Sequence, residues 1–164
     1  MKNLFKAVAR PLYHFLKSKN EREFYRLFDS LSKYERFVTV HNVKFLNYIF
    51  DVPDAASFIW QFKEIFVDDI YRFTAINEKP VIFDCGSNIG TSLIYFSQMY
   101  PEGKVIGFEA DSLIAEISIK NLKKNNITNV DVINSAVWVD NNGINFSTDG
   151  ADGGSIRNIE NAKR

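Results

Sequence analysis

Val81-Ile82-Phe83-Asp84-Cys85-Gly86-Ser87-Asn88-Ile89-Gly90 is the stretch on which the reading of the chain turns. The apolar run Val81-Ile82-Phe83, set after Pro80, predicts a buried strand. It breaks at Asp84 into a loop that holds two glycines, Gly86 and Gly90. Thr91 to Tyr100 then reads as a helix stopped by Pro101. Strand, acid, glycine loop and helix in that order bring backbone close to a ligand and aim a helix N-terminus at it.

The spacing narrows the ligand. A dinucleotide pyrophosphate site wants Gly-x-Gly-x-x-Gly, and Asn88 stands where the middle glycine belongs. A P-loop ends in Gly-Lys-Ser/Thr, whereas Gly90 is followed by Thr91-Ser92 with no lysine. What remains is Asp-x-Gly-x-x-x-Gly. A carboxylate at the strand end repels a pyrophosphate and suits a cationic ligand. S-adenosylmethionine, with an ammonium and a sulfonium at its methionyl end, fits that logic. The alternative the loop leaves open is a strand-to-helix turn whose Asp or Asn serves only as a helix cap.

Downstream the pattern repeats. Glu102-Gly103 turns the chain into a second buried strand, Lys104-Val105-Ile106-Gly107-Phe108-Glu109, ending in an acid. Asp111 begins the next helix, with Leu113, Ile114, Ile117 and Leu122 as its apolar face and Asn125-Asn126 at its end. Val130-Asp131-Val132-Ile133-Asn134 is a third strand. The β-α-β-α-β order predicts a parallel sheet with helices on its faces. Ligands of such sheets sit at the carboxyl ends of the strands. Asp84 with its glycines, Glu109, and Asn134-Ser135-Ala136 fall there. Glu109 lies about 20 residues beyond the glycine loop, where an acid can grip ribose hydroxyls. Asp84 and Glu109 together are far more specific than either alone.

Upstream, residues 1–36 read as two helical pieces, the second capped by Asn20 and presenting Phe24, Leu27, Phe28 and Leu31. Phe37 to Val40 and Val43 to Ile49 read as a hairpin turning at His41-Asn42. Pro53-Asp54 opens a helix with Phe58, Ile59, Phe62, Ile65, Phe66 and Ile70 on one broad apolar face. Beyond Ala136, Val137 to Val139 and Ile144 to Phe146 flank Asp140-Asn141-Asn142-Gly143, a second hairpin signal. Asp149 to Ser155 is too glycine-rich for regular structure; a loop over the site and a flexible chain end are equally open readings.

Composition bounds the function. In 164 residues, 46% hydrophobic and 15% aromatic, there is enough apolar material for a folded domain. A formal net charge of zero gives no pointer to nucleic acid. Residues 1–26 carry seven Lys or Arg against Glu21 and Glu23, interleaved with Leu4, Phe5, Val8, Leu12, Phe15 and Leu16. Such a segment can lie on an anionic membrane surface, but packing on its own domain is the favoured reading. No run has the length of a membrane span, about 18 apolar residues. Arg10, Pro11 and His14 interrupt any secretory core. Cys85 is the single cysteine, which excludes an internal disulfide and fits a reducing, cytoplasmic setting. A small buried side chain is the favoured role for it.

Three blocks, Val81 to Ser92, Ile106 to Asp111 and Val132 to Trp138, together with Phe146 to Ser155, resemble the FkbM-type S-adenosylmethionine-dependent methyltransferases. The resemblance covers residues 35–157. It implies a class I methyltransferase-like Rossmann fold, incomplete at the C-terminus. N-terminal helices (1–36) and a hairpin and helix (37–78) precede residues 79–164 as the first part of that domain. It also implies methyl transfer to an oxygen, commonly a hydroxyl on a glycan or small natural product. Carried over by residue, Asp84, Gly86, Ser87, Asn88 and Gly90 would bind the methionyl part and Glu109 the ribose. Asp111, Ser135 and Ala136 would lie near the adenine, and no metal is implied. Ala110 departs from the proline common after that glutamate. Family members continue into a fourth strand with an Asp-x-Glu-Gly-like segment, which this chain lacks. A truncated member is therefore expected, with the acceptor site and the base in the remainder and the Val81–Phe83 strand an open edge. The alternative is a non-catalytic remnant, or a module that binds the cofactor or a partner. A nicotinamide-binding half is disfavoured by Asp84 and Asn88.

Overall fold

The structure, a computed structural model, describes residues 18–140 and, beyond them, the backbone of 146–147 and 155–156. Helix α1, Lys19–Leu31, starts at Ser18 rather than Asn20. The Ser18 hydroxyl accepts from the Glu21 amide at 3.1 Å, and Glu21 Oε2 accepts from the Ser18 amide at 2.8 Å. This reciprocal capping box satisfies two donors, which a single asparagine cannot do. Asn20 instead donates to the Phe66 carbonyl at 2.7 Å. Phe24, Leu27 and Leu31 are buried, while Phe28 is exposed.

Strands β1, Val40–Phe45, and β2, Tyr48–Val52, form an antiparallel hairpin. Its turn is Leu46-Asn47, not His41-Asn42. His41 and Asn42 lie inside β1, where the register shifts between Val40 and Val43. Asn42 takes φ 56° there, a left-handed conformation that asparagine tolerates, and its amide donates to Asp51 Oδ1 at 2.9 Å. At the turn, the Leu46 amide donates to Glu23 Oε1 at 2.8 Å, which pins the hairpin to α1.

Helix α2, Ala55–Phe62, is capped by Asp54, whose Oδ1 accepts from the Ala56 amide at 3.0 Å. A π-helical turn, Lys63–Val67, continues it. Phe58, Ile59, Phe62, Ile65 and Phe66 are buried as the spacing predicts, but Ile70 lies past the helix and is exposed. Phe45 is the centre of this packing. Its ring lies 5.0 Å from Phe50, 5.2 Å from Phe58 and 6.0 Å from Phe62, all edge-on.

Strands β3 (Val81–Cys85), β4 (Lys104–Glu109) and β5 (Val130–Asn134) form a parallel sheet in the order β3-β4-β5. Asp84 is level with Gly107, and Glu109 with Asn134. Helix α3, Thr91–Met99, packs on β3 and β4, and α4, Ser112–Lys124, on β4 and β5. The fold is therefore α/β, a parallel three-stranded sheet flanked by helices. Ile82, Val105 and Val130 are buried, and they join Phe24 through Phe66 in one core. Strand residues alternate between faces. Val81 and Phe83 accordingly point the other way and are 59% and 63% exposed. Of the run expected to be buried only Ile82 is, and among the described residues β3 is the edge strand expected of it, with one face covered.

Leu113, expected on the apolar face of α4, is exposed, and that helix turns Ile114, Ser118, Asn121 and Leu122 inward. Residues 137–139 form no strand. The second hairpin pairs β6, Phe146–Ser147, with β7, Ser155–Ile156, antiparallel. Residues 1–17 of the basic segment 1–26 and the glycine-rich stretch 149–154 lie outside the described residues.

Gly107 is where the sheet and the glycine loop meet. A Cβ there would stand 2.8 Å from both Ser87 Oγ and Leu93 Cδ2. Gly107→Ala should therefore lower unfolding stability by about 1–3 kcal/mol in chemical denaturation. An unchanged midpoint would show that α3 and the loop yield without cost.

Candidate functional site

The site grows from the carboxyl ends of β3 and β4. After Cys85 the chain turns through Gly86, at φ +99°, and both the Gly86 and Ser87 amides donate to the Phe108 carbonyl, at 2.8 and 2.9 Å. The loop is thereby tied across the sheet to β4. Nothing lies within 4 Å of where a Cβ on Gly86 would stand. The position faces open space, and it is the left-handed backbone that disfavours a side chain there. Gly90, at φ +92°, has the opposite surroundings: a Cβ would lie 2.9 Å from Ser118 Oγ on α4. Gly90 thus serves the close approach of α3 and α4. Ser87 is 1% exposed and its hydroxyl has no hydrogen-bond partner. Its side chain points into the sheet toward Gly107, so its part in the loop is to shape it.

Asp84 stands beneath this loop, and its Oδ2 accepts from Ser92 Oγ at 2.5 Å. Ser92 lies in the first turn of α3. Burial pushes the Asp84 carboxyl above the usual carboxylate range, and the Ser92 hydroxyl only partly opposes this. The ionised form is therefore costly until a cation approaches.

Glu109, 8% exposed, engages two loops at once. One oxygen, Oε2, accepts from the Asn88 amide at 2.9 Å, and Oε1 accepts from the Asp111 amide at 2.8 Å. Asn88 sits at φ 48°, and its own Oδ1 accepts from the Ile89 amide at 2.7 Å. A carboxylate has about four acceptor positions, so two remain after these bonds. Asp111 caps α4, with Oδ1 accepting from the Leu113 and Ile114 amides at 2.8 and 3.2 Å. At the end of β5, Asn134 Nδ2 donates to the Glu109 carbonyl at 2.8 Å and to that of Ala110 at 3.3 Å. Ser135, just beyond, is exposed and donates its hydroxyl to the Ala136 carbonyl at 3.2 Å.

Asp84, Gly86, Asn88, Glu109 and Asp111 are thus brought together at adjoining strand ends, with Ser135 and Ala136 following β5. Ser87 and Gly90 lie in the same loop but face inward. Two supporting residues were missed from the sequence. Ser92 has a local signal, a hydroxyl in the first turn of α3. Asn134 was placed at a strand end without a task, because its carbonyl partners are 24 and 25 residues away. Cys85, expected to be buried, is exposed. It shares the open face with Phe83, by the alternation of β3. There, Phe83, Cys85, Phe108, Ala136 and Trp138 line a cavity of about 360 Å³. Among the described residues, no group of three or more His, Cys, Asp or Glu side chains is placed to hold a metal ion.

A comparison with known proteins gives a partial match. No family model matches the chain. Methyltransferase sdnD of Sordaria araneosa is 36% identical over 70 residues, 43% of this chain and 26% of that protein. Methyltransferase 1 of Beauveria bassiana is 29% identical over 68 residues, 42% of this chain and 27% of that protein. The matches span about a quarter of the length of these curated relatives. Among solved structures, M. jannaschii TYW2 in complex with AdoMet is 23% identical with a TM-score of 0.47. That match covers 61% of this chain and 44% of the other. A Plasmodium falciparum protein described as a putative protein-L-isoaspartate O-methyltransferase, in complex with S-adenosyl-L-homocysteine, gives 14% and 0.38. It covers 86% of this chain and 65% of the other.

The raised Asp84 pKa fixes the sign of a pH effect. A carboxyl whose pKa is higher folded than unfolded adds stability that is fully present below the unfolded value, about 3.9. That stability is lost as pH rises through the folded value. Denaturation midpoints followed from pH 4 upward should therefore fall more in the wild type than in Asp84→Asn. Parallel profiles would mean that Asp84 is not penalised by burial.

Proposed function

We propose that this chain carries the cofactor-binding part of an S-adenosylmethionine-dependent methyltransferase of the FkbM type. The observation that carries the proposal is the pairing of two acids at adjoining strand ends, Asp84 and Glu109, around an open Gly86. The similarity to two proteins named as methyltransferases supports the same reading. The cofactor, when bound, supplies an electrophilic methyl group. Asp84, costly as a bare carboxylate, is suited to the ammonium of the methionyl end. Gly86 and Asn88 let the backbone come close to it, with Ser87 and Gly90 holding the loop in shape. The free acceptor positions of Glu109 are suited to the ribose hydroxyls. Asp111, Ser135 and Ala136 border the place for the adenine.

The acceptor we propose is a hydroxyl oxygen on a glycan or a small natural product. Transfer then rests on holding that oxygen in line with the methyl group and on removing the hydroxyl proton. No residue is assigned as the base. The single, exposed Cys85 suits a reducing, cytoplasmic setting. No helix of the described residues is long and apolar enough to cross a membrane.

Calorimetric titration with S-adenosylhomocysteine tests the reading. Saturable binding is expected, strengthening as pH rises through the raised Asp84 pKa because the ammonium selects the ionised carboxylate. Asp84→Asn should weaken it by about tenfold or more, the scale of one hydrogen bond to a charged group. A folded chain that shows no heat of binding at any pH contradicts the proposal. Binding without turnover of any hydroxyl acceptor would reassign the chain as a cofactor- or partner-binding module.

A further inference from the structure

Asn121 on α4 and Asn125, the residue that caps its C-terminal end, make a contact that the cofactor reading does not use. Asn121 is completely buried. Its Oδ1 accepts from the Asp51 amide at 2.8 Å, and its Nδ2 donates to the Asp51 carbonyl at 3.1 Å. Asn125 treats Ile49 in the same way: Oδ1 accepts from the Ile49 amide and Nδ2 donates to the Ile49 carbonyl, both at 2.8 Å. Ile49 and Asp51 are alternate residues of β2, so their peptide groups point to the same side. The fit is geometric. Side chains four apart on a helix are separated by about 6 Å along its axis. Alternate strand residues repeat at about 6.7 Å. The two carboxamides therefore stand in for a neighbouring strand along the edge of β2.

Asn121 does one thing more. Its Nδ2 also donates to the Ile89 carbonyl, at 3.2 Å, inside the glycine loop. At the next residue, Gly90, a Cβ would stand 2.9 Å from Ser118 Oγ on α4. The preceding residue, Asn88, gives its amide to Glu109. One carboxamide thus bonds both the N-terminal hairpin and the loop that leads into α3. Asn125 bonds the hairpin and its own helix, through the Asn121 carbonyl at 2.7 Å, with no bond to the loop.

We propose that Asn121 is a positioning residue of the cofactor loop, coupling the β1–β2 hairpin to the peptide of Ile89–Gly90. The hairpin is thereby part of the cofactor site's framework. The inference rests on the cofactor reading of that loop, but its geometry can be tested without ligand.

The pair of asparagines supplies its own control. Asn121→Ala and Asn125→Ala both remove hairpin bonds, and both should lower the denaturation midpoint. Only Asn121→Ala should raise the amide hydrogen-exchange rates of Asn88 and Gly90, by about tenfold, the scale of one buried hydrogen bond. Only Asn121→Ala should weaken S-adenosylhomocysteine binding, by about the same factor, with Asn125→Ala within twofold of wild type. Should Asn121→Ala not fold, Asn121→Ser is read in its place, since its hydroxyl is too short to reach both Asp51 and Ile89. Loop exchange and affinity unchanged in the Asn121 variant, or altered equally in both variants, overturn the proposal. A wild type that fails to bind the ligand contradicts the cofactor reading instead, and the exchange rates still decide the role of Asn121.

Discussion

The Glu109 carboxylate accepts the Asn88 amide with one oxygen and the Asp111 amide with the other, at 2.9 and 2.8 Å. The remainder of the site depends on that pair of bonds. Asn88 belongs to the loop after β3, and Asp111 to the turn that starts α4. Asn134, at the end of β5, holds the Glu109 carbonyl. Three strand ends therefore meet on one residue. A charged acceptor buried this far is tolerable only because donors satisfy it, and backbone donors do so without side-chain entropy. Glu109 thus ties the loop after β3 to the start of α4. It is a structural clamp with acceptor positions to spare.

Asp84 presents the complementary case. It has the Ser92 hydroxyl where Glu109 has two amides, and burial leaves its carboxyl above the usual range. One acid of the site is prepaid by the fold, and the other is left in want of a cation. On the proposed reading, that asymmetry would orient a ligand with an ammonium at one end and neutral hydroxyls further along.

The order of strands and helices was readable because each element after Pro80 has a local signal: an apolar run, a capping acid, a turn. The two site acids were readable because strand ends of a parallel sheet converge wherever the strands are in register. The hairpin turn was not. His41-Asn42 and Leu46-Asn47 both place asparagine where a turn would use it, and the Glu23 contact that favours the second lies 23 residues away. The Ser18 cap was legible in principle through Glu21, but Asn20 competes with it in the same sequence. Exposure of Val81 and Phe83 depends on what covers the sheet, and an apolar run looks the same with one face covered or two. The contacts of Asn121 and Asn125 with the hairpin and the loop left no signal in the sequence, since their partners are 32, 70 and 76 residues distant.

On the proposed reading, a cationic nucleoside ligand is held across the ends of β3, β4 and β5. Amide chemical shifts of the isotope-labelled chain, recorded while S-adenosylmethionine is added, test it most directly. Saturable shifts concentrated at Gly86, Asn88, Ala110 and Ser135 are expected. Shifts confined to the open sheet face around Phe83, Phe108 and Trp138, or none at saturating ligand, would contradict it.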